Sequence, residues 1–361
     1  MVSIPSALLK GISAGTTARL RIAIFISLAL AFALPAPAQS PDSERIAFRY
    51  DATHVIVQLD QAGNEEFRGV PFTRLLRQLP LPDTHASGIS VVGTSDELMS
   101  NYMRLFGATQ PGQAWAIQGN SRSLHATAET LAFSGTGCQT EINAVAILAI
   151  APAEQQEFRA AGDFFLVHPG ETSPPAGTPA LLGPAHLSAA QQSRLKIVLN
   201  NALQYELRKV KQASQGEYQR DKALAAKWTA ADDRLARGQG KLAFEAQQLR
   251  LGPDGQERLY VRAKWSLGDY AAFLVSAWVN PQGMKLEAVD AHAAQWIRTR
   301  EYQGKGADID SLPEILGVFP GEGGWGRVLV GHRGQEGYWM DVSQYSAEGP
   351  KETEISYGYG C

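Results

Sequence analysis

The residues able to do chemistry are few and scattered. Asp308 and Asp310 form a D-x-D pair beside Glu314. Paired carboxylates at that spacing can hold a metal ion or share acid–base work, although a D-x-D pair also caps helices and lines solvated turns. Asp290-Ala291-His292, with Glu287 upstream, is a local acid–histidine cluster. The seven histidines (His54, His85, His125, His168, His186, His292 and His332) include no pair at metal-ligand spacing. The sequence contains no G-x-S-x-G, no H-E-x-x-H and no phosphate-binding P-loop. Its two cysteines, Cys138 and Cys361, have no histidine near them in sequence, so neither reads as a base-activated thiol. Both follow glycine-bearing flanks, GTGC and GYGC, and in an oxidising compartment they are expected to pair. Closing so long a loop stabilises by roughly 4–5 kcal/mol in the chain-entropy account.

Gly321 to Gly326, GEGGWG, fits G-x-G-x-x-G letter for letter. The dinucleotide fingerprint places a helix after the glycines, because the phosphates sit at the helix N-terminus. Here Pro320 precedes and the β-type run RVLV follows, so the glycines read as turn residues. The longer stretch FPGEGGWGRVLV followed by GQEGYWMDVSQYS resembles a degenerate FG-GAP-type repeat, in which an acidic, glycine-rich loop precedes a strand. That resemblance implies a calcium loop whose ligands have been lost and whose turn has been kept. Pro320, Gly321, Gly324 and Trp325 stand where acidic ligands would be needed. Glu322 alone is acidic, against the 6 to 8 oxygens that calcium takes. No cofactor and no metal ligand set is assigned from the sequence.

The N-terminus gives a compartment. Lys10, Arg19 and Arg21 precede the apolar run Ile22 to Leu34, then Pro35, then the small-x-small pattern of Ala36 and Ala38. This is the layout of a secretory signal peptide over residues 1–38, with cleavage between Ala38 and Gln39. The apolar run is shorter than the ~20 residues of a spanning helix, so no stable membrane anchor is expected after its removal. The chain carries 33 Lys+Arg against 36 Asp+Glu, and loss of the leader makes the remainder more acidic. An acidic chain with no basic block speaks against nucleic acid as a partner.

The elements that must position these residues read as an α+β fold. Residues 39–167 form an N-terminal α+β region: a hairpin over 44–60, helices at 71–79 and 94–106, and strands at 89–92, 114–118, 124–133, 144–150 and 164–167. The Pro/Gly-rich segment 168–186 reads as a linker. Residues 187–361 form a C-terminal domain in which a long helix, started by a Ser188–Gln191 capping box, packs on a mainly antiparallel meander. The meander is punctuated by GPDG at 252–255 and NPQG at 280–283.

The function that fits is a non-catalytic binding or structural module of the periplasm or extracellular space, with protein or glycan contact through the C-terminal sheet. The alternative is a hydrolase whose site gathers Asp308, Asp310, Glu314 and His292; a further alternative is a calcium-free FG-GAP-like module. Two outcomes are expected of the exported protein. N-terminal sequencing finds Gln39 first, and non-reducing peptide mapping recovers Cys138 joined to Cys361. Free thiols at both positions would end the bridge.

Overall fold

The computed structural model describes residues 44–62, 66–67, 70–71, 77–79, 90–93, 103–119, 123–135, 142–170, 179–214, 230, 233–267, 271–294, 312–333 and 337–360. Residues 41–361 cluster as one compact unit. The expected leader and its expected cleavage site, Ala38 and Gln39, lie outside the described residues, as do Cys138 and Cys361.

The N-terminal strands are β1 (Arg45–Arg49), β2 (His54–Ala62), β3 (Glu66–Phe67), β4 (Val70–Pro71), β5 (Arg77–Leu79), β6 (Ser90–Gly93), β7 (Ala114–Gln118), β8 (Ser123–Gly135), β9 (Ile142–Ile150) and β10 (Phe164–Pro169). They run β8-β7-β10-β1-β2-β9, and β9 then pairs again with β8, which closes a six-stranded antiparallel barrel. β5 and β6 continue from β8, and β3 pairs with β4 as a separate ribbon. A barrel of so few strands has room inside for side chains only. Alanines supply the small positions on β8 and β9 (Ala126, Ala128, Ala144, Ala146), while Trp115, Phe133 and Phe165 fill the space. Phe106, from a 3-10 turn at Met103–Phe106, and Phe158, from α1 (Gln155–Ala160), complete this interior.

Two bulges bend the barrel strands, one between Gln58 and Asp60 on β2 and one between Ala128 and Thr130 on β8. The first leaves Leu59 outside the ladder, and the buried Arg45 donates to its carbonyl at 2.6 Å. Burial pushes the Arg45 guanidinium below its ordinary pKa, with Asp60 pulling the other way. Arg49 pins α1: its guanidinium donates to the carbonyls of Phe158 and Ala161, each at 2.7 Å, and lies 4.2 Å from the Phe158 ring centroid.

A second sheet contains β11 (Ala180–Pro184), β12 (Lys241–Arg250), β13 (Glu257–Leu267), β14 (Ala271–Asn280) and β15 (Lys285–Ala294), in that order. A third contains β16 (Glu314–Pro320), β17 (Gly326–Arg333), β18 (Gly337–Ser346) and β19 (Gly349–Gly360). Helix α2 (Ala189–Ser214) starts where the capping box places it: Ser188 N donates to Gln191 Oε1 at 2.9 Å, and Gln191 N returns to Ser188 Oγ at 3.3 Å. Its Leu195, Leu199, Leu203 and Leu207 pack with Val261, Trp265 and Val275 of the second sheet.

The α+β expectation, with a helix and meander as the organising unit, is overturned. Among the described residues the protein is mostly β, with three antiparallel sheets and a closed barrel. Two segments with helical spacing turn out otherwise. Arg77–Leu79 is a strand paired with β6, and the described end of the second segment, Met103–Phe106, is a 3-10 turn. Short apolar runs satisfy either period, and the pairing of β8 with β9 is not visible from either strand alone.

The third sheet is the middle layer. On one face Phe319, Leu329, Met340, Val342 and Tyr357 pack on the outward residues of the barrel, Ile46, Phe48, Phe164 and Leu166. On the other face Val318, Val328, Val330 and Tyr345 pack on Leu249, Leu251, Tyr260 and Trp278 of the second sheet. Leu329 and Val328 are both fully buried, on opposite faces, which only a two-sided layer allows. Leu329→Ala should cost about 2–5 kcal/mol in urea unfolding. Ile197→Ala, at a helix position 62% exposed, should shift stability by no more than about 0.5 kcal/mol.

Candidate functional site

Two residues of the acidic group read from sequence, Asp308 and Asp310, lie outside the described residues. Glu314 opens β16 opposite Gly331 in the third sheet, and His292 lies near the end of β15 in the second. The two are thus on different sheets. GEGGWG is the turn from β16 to β17, with Gly323 and Gly324 at φ of 61° and 80°, values that favour glycine. The turn docks on the GPDG turn of the second sheet: Gly326 N donates to Leu251 O at 2.6 Å, and a Cβ on Gly252 would meet Trp325 at 3.1 Å.

Trp325 of that turn belongs to a buried polar cluster between the second and third sheets. Arg258 on β13 pairs with Glu287 on β15 at 2.8 Å, and Tyr345 on β18 donates its hydroxyl to the same Glu287 oxygen at 2.6 Å. The Arg258 guanidinium lies 5.8 Å from the Trp325 centroid and 5.7 Å from that of Tyr345. Burial, then the Glu287 carboxylate, push the Tyr345 hydroxyl pKa well above the usual phenol range. The cluster spans three strands and behaves as a lock between sheets.

At the barrel, Asp51 closes the β1–β2 turn. It accepts from Thr53 N at 2.7 Å and from His54 Nδ1 at 2.9 Å. Burial raises its pKa, but these hydrogen bonds outweigh it and hold the carboxyl below its ordinary value. His54 Nε2 faces Glu129, the residue at the β8 bulge, at 2.9 Å. A carboxylate thus stands at each ring nitrogen, and the Thr53 hydroxyl, itself 3.0 Å from Asp51 Oδ1, lies 3.0 Å from Nδ1. Among the described residues, no group of three or more His, Cys, Asp or Glu side chains is arranged to hold a metal ion.

A cleft of about 610 Å³ lies at the seam of the barrel and the third sheet. Its floor is a closed polar ring. Arg327, the first side chain of β17 after the glycine turn, donates Nε–H to Pro320 O at 2.9 Å. Its other nitrogens reach Gln118 Oε1 on β7 and the Glu44 carboxylate just before β1. Gln118 returns its amide to the same Pro320 carbonyl at 3.1 Å. One wall holds Glu322 and Gln344, joined by Glu322 N donating to Gln344 Oε1 at 3.4 Å. The other is the edge strand β19, with Lys351, Glu352 and Thr353.

Of these cleft residues the sequence marks Glu322, in the glycine-rich turn, and one further signal is there. Arg327 and Leu329 alternate onto the same face of β17, so a charge was marked for a face that is otherwise buried. Of the C-terminal tryptophans, Trp265 and Trp278 are buried between layers, while Trp339 on β18 is 38% exposed.

Glu287→Gln strands the Arg258 guanidinium in the lock and should cost about 3–5 kcal/mol, whereas Tyr345→Phe should cost about 1 kcal/mol. The raised Tyr345 pKa makes its contribution full below the unfolded phenol value of about 10 and lost progressively as pH rises above it. Urea midpoints of wild type and Tyr345→Phe should therefore converge on the alkaline side.

Comparison with protein-family models, characterised proteins and solved structures finds no match to this chain.

Proposed function

We propose that the chain is an exported, non-catalytic binding module whose ligand occupies the cleft between the barrel and the third sheet. The observation that carries this reading is the cleft with its pre-formed floor. Arg327 is held by a backbone carbonyl and by Gln118, and Gln118 is held by that same carbonyl. A floor fixed by its own hydrogen bonds costs little to order when a ligand arrives, which favours recognition. The rim mixes both signs of charge with amides and a hydroxyl, the equipment for orienting a small polar molecule. Export, from the signal-like leader, would place that recognition in the periplasm or outside the cell.

The test is a thermal-shift screen of small polar metabolites against the mature protein and against Glu352→Trp, which fills the cleft mouth from an exposed position. A ligand at a hundred times its Kd should stabilise the wild type by about 2.7 kcal/mol and leave the blocked variant unmoved. Equal stabilisation of the two proteins would place binding elsewhere and refute the cleft.

A further inference from the structure

We infer that the cleft recognises a small zwitterion, an amino acid or short peptide with free termini, and that Glu44 is an intramolecular stand-in for the ligand's carboxylate. This rests on the cleft being the binding site.

Three of the bonds from Arg327 differ in kind. Those to Pro320 O and Gln118 come from β16 and β7, inside ladders that cannot shift without opening the fold. The third goes to Glu44, which precedes β1 and pairs with no strand. A carboxylate arriving from solution can therefore take the place of Glu44 while the guanidinium stays aimed. Arg is suited to this exchange because its planar fork matches a carboxylate. Lys351 adds a second positive charge on the β19 wall.

The rim sets the rest of the ligand. Glu322 and Glu352 also line the cleft, both with exposed side chains. A simple dianion would meet those two carboxylates and be repelled. A molecule with an ammonium at one end and a carboxylate at the other satisfies both pairs of charges. Gln344 and Thr353 also line the cleft, their amide and hydroxyl held by Tyr345 O and Val342 O, so they shape it and the charged groups choose the ligand. The cleft volume of about 610 Å³ lies within the range of small-ligand pockets.

Isothermal titration of the mature protein with trialanine, its C-terminal amide and its N-acetyl derivative tests this. Trialanine should bind, and each capped form should bind at least tenfold more weakly. Glu44→Gln should tighten trialanine several-fold, because the competing carboxylate is gone, and should leave the amide unaffected. Glu322→Gln, an exposed change with no cost to the fold, should weaken trialanine and leave the N-acetyl form unchanged. Indifference to capping at both ends, or a Glu44→Gln protein that binds no tighter, would overturn the inference. Failure of every zwitterion, alongside another metabolite that binds wild type and not Glu352→Trp, would end the zwitterion and leave the cleft reading intact.

Discussion

A sheet covered on both faces cannot leave a charged side chain unanswered, and that constraint organises this protein. The third sheet lies between the barrel and the second sheet, with apolar residues alternating to both sides. Two of the polar groups its strands carry are answered across a layer boundary. Arg327 is met by Glu44 and Gln118 of the barrel, and Tyr345 by Glu287 and Arg258 of the second sheet. The two networks lie on opposite faces of the same layer. One is closed and aromatic-lined. The other lines the cleft between the barrel and the third sheet.

The same logic explains how the edges are kept quiet. β19 is long and ends the third sheet, which leaves half of its backbone groups without a ladder partner from its own sheet. A bulge between Asp341 and Ser343 displaces the pairing, and the Thr353 hydroxyl donates to Val342 O at 2.7 Å. Lys351, Glu352 and Glu354 put charge along the same strand. An edge that is bent and charged resists pairing with another chain, and those same charges become the wall of the cleft.

Much of the local structure was legible in the sequence because it depends on local chemistry. The β1–β2 hairpin, the capping box at Ser188, the GPDG and NPQG turns and the four strands between Lys241 and Ala294 all follow from alternation and turn residues. The apolar run at Ala144–Ile150 does so too, since Val145 faces the third sheet while Ala146 and Leu148 face the barrel interior. What escaped was non-local. Barrel closure joins β8 to β9 by a register that neither strand announces, and the layering depends on which faces meet. The cleft residues come from before β1, from β7, β17 and β18, and from β19, so no window of sequence contains the site. Asp308, Asp310 and His292 drew notice because carboxylates and histidines are chemically conspicuous. Gln118 did not, because an amide becomes informative only when it is buried.

The position of the middle layer in the chain has a consequence for biosynthesis. Strands β16 to β19 emerge after the barrel and the second sheet, yet they cover apolar surfaces of both. Until Gly360 is available, Ile46, Phe48 and Leu166 on one side, and Tyr260 and Trp278 on the other, have no partner layer. A nascent or truncated chain therefore exposes two sticky faces at once, the circumstance in which chains aggregate or engage chaperones. The third sheet acts as a keystone set between walls that precede it in the chain.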